Sequence, residues 1–305
     1  MPTDSHTATG KGLLSAVPPS WITWIYTVLL RPKPLRMLAQ WAVRTLFIKK
    51  EVQVHGVRLA LNPQDAIVSG ALSLGCYETS LSELFRATIK PGMNVLDIGA
   101  NIGLYSMIAA NEAGPTGRVV AVEPEAGNCA FVERSRQLNG FENIAIINKA
   151  ASDREGTLNL YLCAENKADH RVYDAGGDRP HVKVQATSID FLLQEQGVTR
   201  LDVIKIDVQG AEYQVFVGMQ KTLQSQPNLT IFMEFWPWGL LQSGSDPQKL
   251  LDLLVQAGFS MGEFDDTTAQ VKPIADLAAL AAHKLEREHF NLVLTKGAKP
   301  AASAQ

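Results

Sequence analysis

A chain of 305 residues with 46% apolar residues and a net charge of −3 suffices for one large α/β domain with extensions and requires no second domain. Its three cysteines, Cys76, Cys129 and Cys163, stand singly without C-x-x-C spacing, which argues against a disulfide framework or a zinc site and fits a reducing cytoplasm. Residues 1–50 carry seven Lys and Arg against Asp4 alone; the acidic remainder argues against a long phosphate track, so no nucleic-acid partner is expected.

Residues 1–12 are small and polar, lack the basic-then-apolar order of a signal peptide, and are expected to form a disordered tail. Trp21 to Leu30 is an apolar run of ten residues, too short to cross a bilayer core of roughly 30 Å. Arg31-Pro32-Lys33-Pro34 and a basic, helix-like stretch from Leu35 to Lys50 follow. Two expectations stand for residues 20–50: peripheral contact with an anionic membrane at the inner face, or a helical arm packed on its own domain or on a homodimer mate. The domain plan is this tail and arm over 1–50, a single domain over 51–297, and a disordered Ala/Pro/Ser tail over 298–305.

Alternating apolar residues from Val52 to Leu61 predict a hairpin around His55-Gly56 that caps the domain. Thr79 is expected to cap a helix bearing Leu81, Leu84, Phe85 and Ile89. Met93 to Ile98 then reads as a buried parallel strand, and Leu104 to Gly114 as a helix. The turn between them, Asp97-Ile98-Gly99-Ala100-Asn101-Ile102-Gly103, reads as a nucleotide cradle, the other reading being an ordinary strand-to-helix connection of an α/β protein. A helix start offers unpaired N–H groups, and glycine lets a ligand approach the backbone. Asn101 replaces the middle glycine of a dinucleotide fingerprint, which keeps the turn, since Asn tolerates positive φ, but leaves less room for a pyrophosphate. Val119 to Val122 is a second strand, and it delivers Glu123, followed by Pro124, where an acid holds ribose hydroxyls. Asp97 would repel a phosphate but suits a cationic or amine-bearing ligand.

Further along, a helix is predicted over Gly127–Leu138 and a strand over Ile144–Asn148. Thr157–Cys163 and His181–Thr187 read as an antiparallel pair joined by a polar loop, Ala164–Pro180, of the length of a lid. Its His170 is either a base or a solvated loop residue. Leu201–Asp207 is the fourth core strand and runs through Val208-Gln209-Gly210 to Glu212 and a helix reaching about Gln224. Lys205, Asp207 and Glu212 gather at its end, with Lys205 open to pairing with an acid and Glu212 to capping the helix. Leu229–Phe235 carries Glu234, and Trp236-Pro237-Trp238 follows, suited either to a flat hydroxylated acceptor or to sealing the core. A helix over Ser245–Ala257, a strand over Phe259–Phe264, a helix over Ile274–Glu288 and a last strand over His289–Thr295 complete the domain.

LDIGANIGLYS, AVEPE and KIDVQGAE resemble the FkbM-type methyltransferases, a branch of the Rossmann-like S-adenosylmethionine-dependent enzymes, over roughly Leu72 to Lys296. The resemblance implies a class I fold: a three-layer α/β sandwich with a mainly parallel seven-stranded sheet. It implies S-adenosylmethionine as cofactor, held by Asp97, Gly99, Ala100, Asn101, Gly103, Glu123 and Pro124, with Ala151 and Ser152 beside the adenine. Tyr77-Glu78 matches a feature of the family that offers Glu78 to the cofactor's ammonium group; a solvated acid before the helix is the other reading. The implied activity is O-methylation of a small-molecule, sugar, glycolipid or polyketide hydroxyl. Asp207 is the first candidate base, with Glu234, His170 and Lys205 as further catalytic candidates. Asp207 and Glu234 would be the ligands if a divalent ion such as Mg²⁺ takes part. The rival readings are an RNA or protein methyltransferase, although no N-P-P-Y-type sequence is present, and a catalytically silent scaffold of the same fold.

Overall fold

The computed structural model describes residues 48–164, 166–174, 176–286 and 288–297. The Trp-rich run, most of the basic arm and both tails expected from the sequence lie outside the described residues. Among the described residues no helix is long and apolar enough to cross a membrane.

Strands β1 (Glu51–Val54) and β2 (Val57–Ala60) form the expected hairpin, turning through His55 and Gly56 at φ 48° and 84°. Helices α1 (Val68–Leu74) and α2 (Thr79–Thr88) lead to β3 (Asn94–Ile98), α3 (Leu104–Ala113), β4 (Arg118–Val122), α4 (Ala126–Asn139) and β5 (Ile144–Ile147). The hairpin seats on α4: Ser135 and Asn139 accept the backbone N–H groups of Ala60 and Arg58 at 2.9 and 2.8 Å. Next come β6 (Ala150–Ser152), β7 (Gly156–Tyr161), β8 (His181–Ser188) and α5 (Ile189–Glu195), and then β9 (Val203–Ile206), α6 (Glu212–Val217), α7 (Gln220–Ser225), β10 (Leu229–Phe235) and α8 (Pro237–Gln242). The chain closes with α9 (Pro247–Gln256), β11 (Ser260–Asp265), β12 (Gln270–Pro273), α10 (Leu277–Ala281) and β13 (Phe290–Lys296).

The main sheet has the order β12-β11-β13-β10-β9-β3-β4-β5. The run from β10 to β5 is parallel, and β13 lies antiparallel on β10. Strands buried on both faces carry unbroken apolar runs, and successive side chains feed two cores. Leu96, Ile98, Ile204 and Ile206 enter the core shared with α5, α6, α7 and α9, whereas Val95 and Val203 enter the one shared with α2, α3 and the hairpin. Helices therefore cover both faces, giving the three-layer sandwich, and the parallel strands bring their carboxyl ends to one edge.

Four expectations need correction. The sheet has eight strands rather than seven, because β12 pairs with β11; all four of its residues are exposed, so no apolar alternation marked it. Ala150–Ser152, for which no element was expected, adds a strand parallel to β8 to the expected β7–β8 pair. The helix expected to reach Gln224 breaks after Val217, where a Cβ on Gly218 would lie 2.0 Å from the Ser152 carbonyl oxygen and Asp190 caps a fresh start by accepting the Lys221 and Thr222 N–H groups. The helix predicted over Ile274–Glu288 shrinks to α10, because the Trp236 indole takes the Glu286 carbonyl at 2.9 Å and Phe290 already belongs to β13. At α2 the cap position belongs to Glu78, not Thr79.

Candidate active site

The carboxyl ends of β3, β4 and β9 border a cleft of about 900 Å³, part of it open to solvent. Beyond β3 the backbone turns through Gly99, Asn101 and Gly103 at φ 81°, 50° and 93°. Asn101 thus takes the left-handed conformation that its amide side chain tolerates. A Cβ on Gly99 would lie 1.8 Å from the Asp207 carbonyl oxygen, so only glycine lets β9 end this close to the turn. Gly103 precedes α3 and makes room for Val132, 3.2 Å from where its Cβ would be; it does not line the cleft.

Glu123, 5% exposed at the end of β4, accepts the Asn101 and Glu125 N–H groups at 2.8 and 2.9 Å and the Asn128 amide at 3.4 Å. Burial pushes its pKa up to about 7, and these donors pull the other way. The side-chain oxygen of Asn101 is buried with no partner among the described residues, an acceptor left open for a ligand's hydroxyl or amine. Ala100, Pro124 and Ala151 also line the cleft. Ser152 does not; its hydroxyl turns to Asp153 at 3.2 Å.

A second group of charges lies beside this cradle. Asp97 on β3 and Lys205 on β9 are neighbours in register, both almost fully buried. The Ser106 hydroxyl donates to Asp97 at 2.5 Å, and burial pushes this carboxyl up to about 6. Burial also works against the Lys205 ammonium, but Asp207, Glu78 and Glu234 outweigh it and raise its pKa. The ammonium sits 3.7 Å from Asp207 Oδ2 and 5.0 Å from the centre of the Tyr105 ring. Tyr105, held edge-on by Phe85, donates its hydroxyl to Glu78 at 2.6 Å, and burial pushes Glu78 up to about 7.

Gln209 Nε2 donates to Asp207 Oδ1 at 2.7 Å and to Glu234 Oε2 at 2.8 Å. The other oxygen of Glu234 faces His289 Nδ1 at 3.3 Å. Burial and Asp207 raise the Glu234 pKa, with His289 opposing them; His289 is in turn raised, because Glu234 outweighs the effect of its burial. Glu212, in the first turn of α6, accepts the Gly210 N–H with one oxygen, and its other oxygen has no partner among the described residues. Burial pushes it up to about 8, against the backbone donor of Gly210.

The segment between β7 and β8 folds over this region. Asp169 binds both Arg171 and Arg179, at 2.7 and 2.8 Å. The Arg171 guanidinium lies 4.7 Å from the Trp236 ring centre and 5.8 and 6.0 Å from those of Trp238 and Tyr173. Trp236 is 1% exposed and stacks on His289 at 4.7 Å, so it seals the core and carries the lid together. His170 lines the cleft, but its Nδ1 accepts the Cys163 N–H at 3.0 Å and burial lowers its pKa to about 4. Its other ring nitrogen therefore carries the hydrogen, and the side chain is a donor. Among the described residues no three His, Cys, Asp or Glu side chains group to hold a metal ion, and Asp207 meets Glu234 across the Gln209 amide.

The structure brings Asp97, Ala100, Asn101, Glu123, Lys205 and Asp207 to one cleft, with Glu78 and Glu234 behind its wall. Sequence reasoning assigned no role to Tyr105, Gln209, Arg171 or His289; each acts through a partner at least 25 residues away in the chain, a link that no spacing rule encodes.

Residues 97–261, more than half of the chain, match the Methyltransferase FkbM domain. The chain belongs to the FkbM methyltransferase family. This FkbM chain is 26% identical over 183 residues to the 2-O-methyltransferase NoeI of Sinorhizobium fredii, covering 54% of this chain and 72% of NoeI. It is 28% identical over 167 residues to the hexuronic acid methyltransferase AglP of Haloferax volcanii, covering 54% of this chain and 62% of AglP. It is also 29% identical over 170 residues to the AMB antimetabolite synthetase AmbE of Pseudomonas aeruginosa, a match covering 43% of this chain and only 8% of AmbE.

Proposed function

We propose that this chain transfers a methyl group from S-adenosylmethionine to a hydroxyl of a sugar, glycolipid, polyketide or other small molecule. The observation that carries this reading is Asp207: its backbone carbonyl packs on the glycine of the cradle, while its carboxylate stands at the cleft between Lys205 and Gln209. The names of NoeI and AglP, which specify O-methylation and a sugar acid, support the acceptor class.

S-adenosylmethionine supplies a methyl group on a sulfonium, already a good leaving group, so the chain's work is alignment and proton removal. Glu123 accepts the ribose hydroxyls, Asn101 Oδ1 offers a further acceptor, and Asp97 and Glu78 place negative charge near the ligand's cationic groups. Asp207 would take the proton of the acceptor hydroxyl, and S-adenosylmethionine, when bound, would supply the methyl group for that oxygen and carry off the electron pair on its sulfur. Lys205 and Gln209 fix the Asp207 carboxylate for that step, and the lid excludes water.

Calorimetry with S-adenosylmethionine tests the cradle. Incubation with methyl-labelled cofactor and a panel of sugars, glycolipids, polyketide alcohols, RNA and peptides tests the acceptor. Absence of cofactor binding would leave a silent scaffold, and label found only in RNA or peptide would overturn the small-molecule hydroxyl.

A further inference from the structure

Gln209 sits where a side chain is awkward. Its backbone is left-handed at φ 51°, a conformation that a non-glycine residue holds only when its surroundings fix it. The fixing group comes from the lid: the Tyr173 hydroxyl donates to the Gln209 carbonyl at 3.0 Å. The next residue, Gly210, leaves room for that hydroxyl, since a Cβ there would lie 2.7 Å from it.

The side chain so held has two amide hydrogens and two carboxylates to meet them, at 2.7 Å on Asp207 and 2.8 Å on Glu234. Carboxylates accept, so the nitrogen rather than the oxygen of the amide must face them. The remaining oxygen of each carboxyl looks outward to a basic side chain, Lys205 at 3.7 Å on one side and His289 at 3.3 Å on the other. The result is a row in which a neutral amide bridges two carboxyl groups, each backed by a basic side chain. The acids Glu78 before α2, Asp97 on β3 and Glu212 on α6 also face this region, and the Arg171 guanidinium lies on the lid side, 6.0 Å from the Tyr173 ring centre, but the group that contacts both carboxyls is the Gln209 amide.

Two carboxylates brought together in a buried site otherwise relieve their repulsion by sharing a proton. A carboxylate that shares a proton with its neighbour is a weaker base towards a substrate hydroxyl than one that stands ionised by itself. We propose that Gln209 is a positioning residue that holds Asp207 and Glu234 apart as separate anions, with the lid's Tyr173 locking it through its backbone. The proposal rests on the methyl-transfer reading of the same site, in which Asp207 is the base.

His289 reports on the arrangement without any acceptor. In protein labelled with ¹³C at histidine, the His289 ring can be titrated by NMR and assigned against a His289→Asn control. Gln209→Met keeps the length and removes both donors, so Glu234 should keep its proton to higher pH. His289 should then lose its anionic partner and titrate roughly half a pH unit or more below the wild type. Gln209→Asn is a second variant; asparagine is better tolerated at positive φ, and its shorter amide cannot span both carboxylates, so the shift should have the same direction. S-adenosylmethionine affinity in these variants should stay within about threefold. An unchanged or higher His289 titration in both folded variants overturns the proposal. So does a larger loss of cofactor affinity, which would make Gln209 part of the cradle. A wild type that fails to bind S-adenosylmethionine would instead sink the methyl-transfer reading, and the NMR result would still decide whether Gln209 is the bridge.

Discussion

Affinity for S-adenosylmethionine should fall as the solution is acidified, because Glu123 must be ionised to accept two ribose hydroxyls. Burial pushes its pKa up to about 7, against the backbone donors of Glu125 and Asn101. The ionised fraction of such a group is about ten elevenths at pH 8 and about one eleventh at pH 6, so affinity should drop roughly tenfold over that interval, or about 1.4 kcal/mol. Asp97, raised to about 6 by its burial, adds to the slope at the acid end. Glu123→Gln keeps the shape and cannot ionise, so it should bind more weakly at pH 8 and lose about tenfold of the pH dependence. The ligand-free protein should show the opposite trend. The folded pKa lies above the usual carboxylate value, so this group's stabilising contribution is full below about pH 4.5 and is lost as pH rises through 7. The rise in melting temperature on adding cofactor should therefore be larger at pH 8 than at pH 6. Calorimetry in two buffers of different ionisation enthalpy measures both the affinity and the protons released. Equal affinity at pH 6 and pH 8 in the wild type, or an unchanged slope in Glu123→Gln, would refute the assignment of Glu123 to the ribose.

Asp207→Asn should lower turnover by about 10² to 10⁴, the usual worth of a positioned base, with cofactor affinity little changed; the reverse pattern would move Asp207 into the cradle and leave Glu234 as the base. Gly99→Ala would put a Cβ 1.8 Å from the Asp207 oxygen at a φ of 81°, so denaturant unfolding should show a loss of about 2 kcal/mol or more, and an unchanged midpoint would count against the close approach of β9. Arg171→Ala removes the cation that stacks on Trp236, and limited proteolysis should then cut residues 164–180 roughly tenfold faster; an unaltered rate would mean the lid is held by other contacts.

The part of the site that was legible in the sequence is the part whose physics is local. β3, its turn and α3 could be read because a buried strand, a left-handed turn and a helix start each leave a mark within a few residues, and Asn101 at φ 50° shows the rule at work. Glu123 followed from its distance along the chain to that turn. Gln209 was invisible as a bridge because its function depends on Glu234, one strand over, and on Tyr173 in a lid. Helical propensity misled over Ile274–Glu288: the Ala- and Leu-rich stretch suits a helix, but a hydrogen bond from Trp236, about fifty residues earlier, takes the carbonyl at Glu286. At α6 and α7 a continuous helix was likewise expected, and the break depends on how closely the Ser152 backbone approaches Gly218.

The outermost strand of the sheet bears on how copies of this chain meet. β12 is only four residues long and wholly exposed, and Pro273, at its end, has no N–H to offer an incoming strand. Lys272, ion-paired with Asp265, adds a charge that a flat, continuous pairing would have to desolvate. A strand from a second molecule would gain few hydrogen bonds there, so this edge resists sheet-to-sheet aggregation and is poorly suited to being the seam of a dimer.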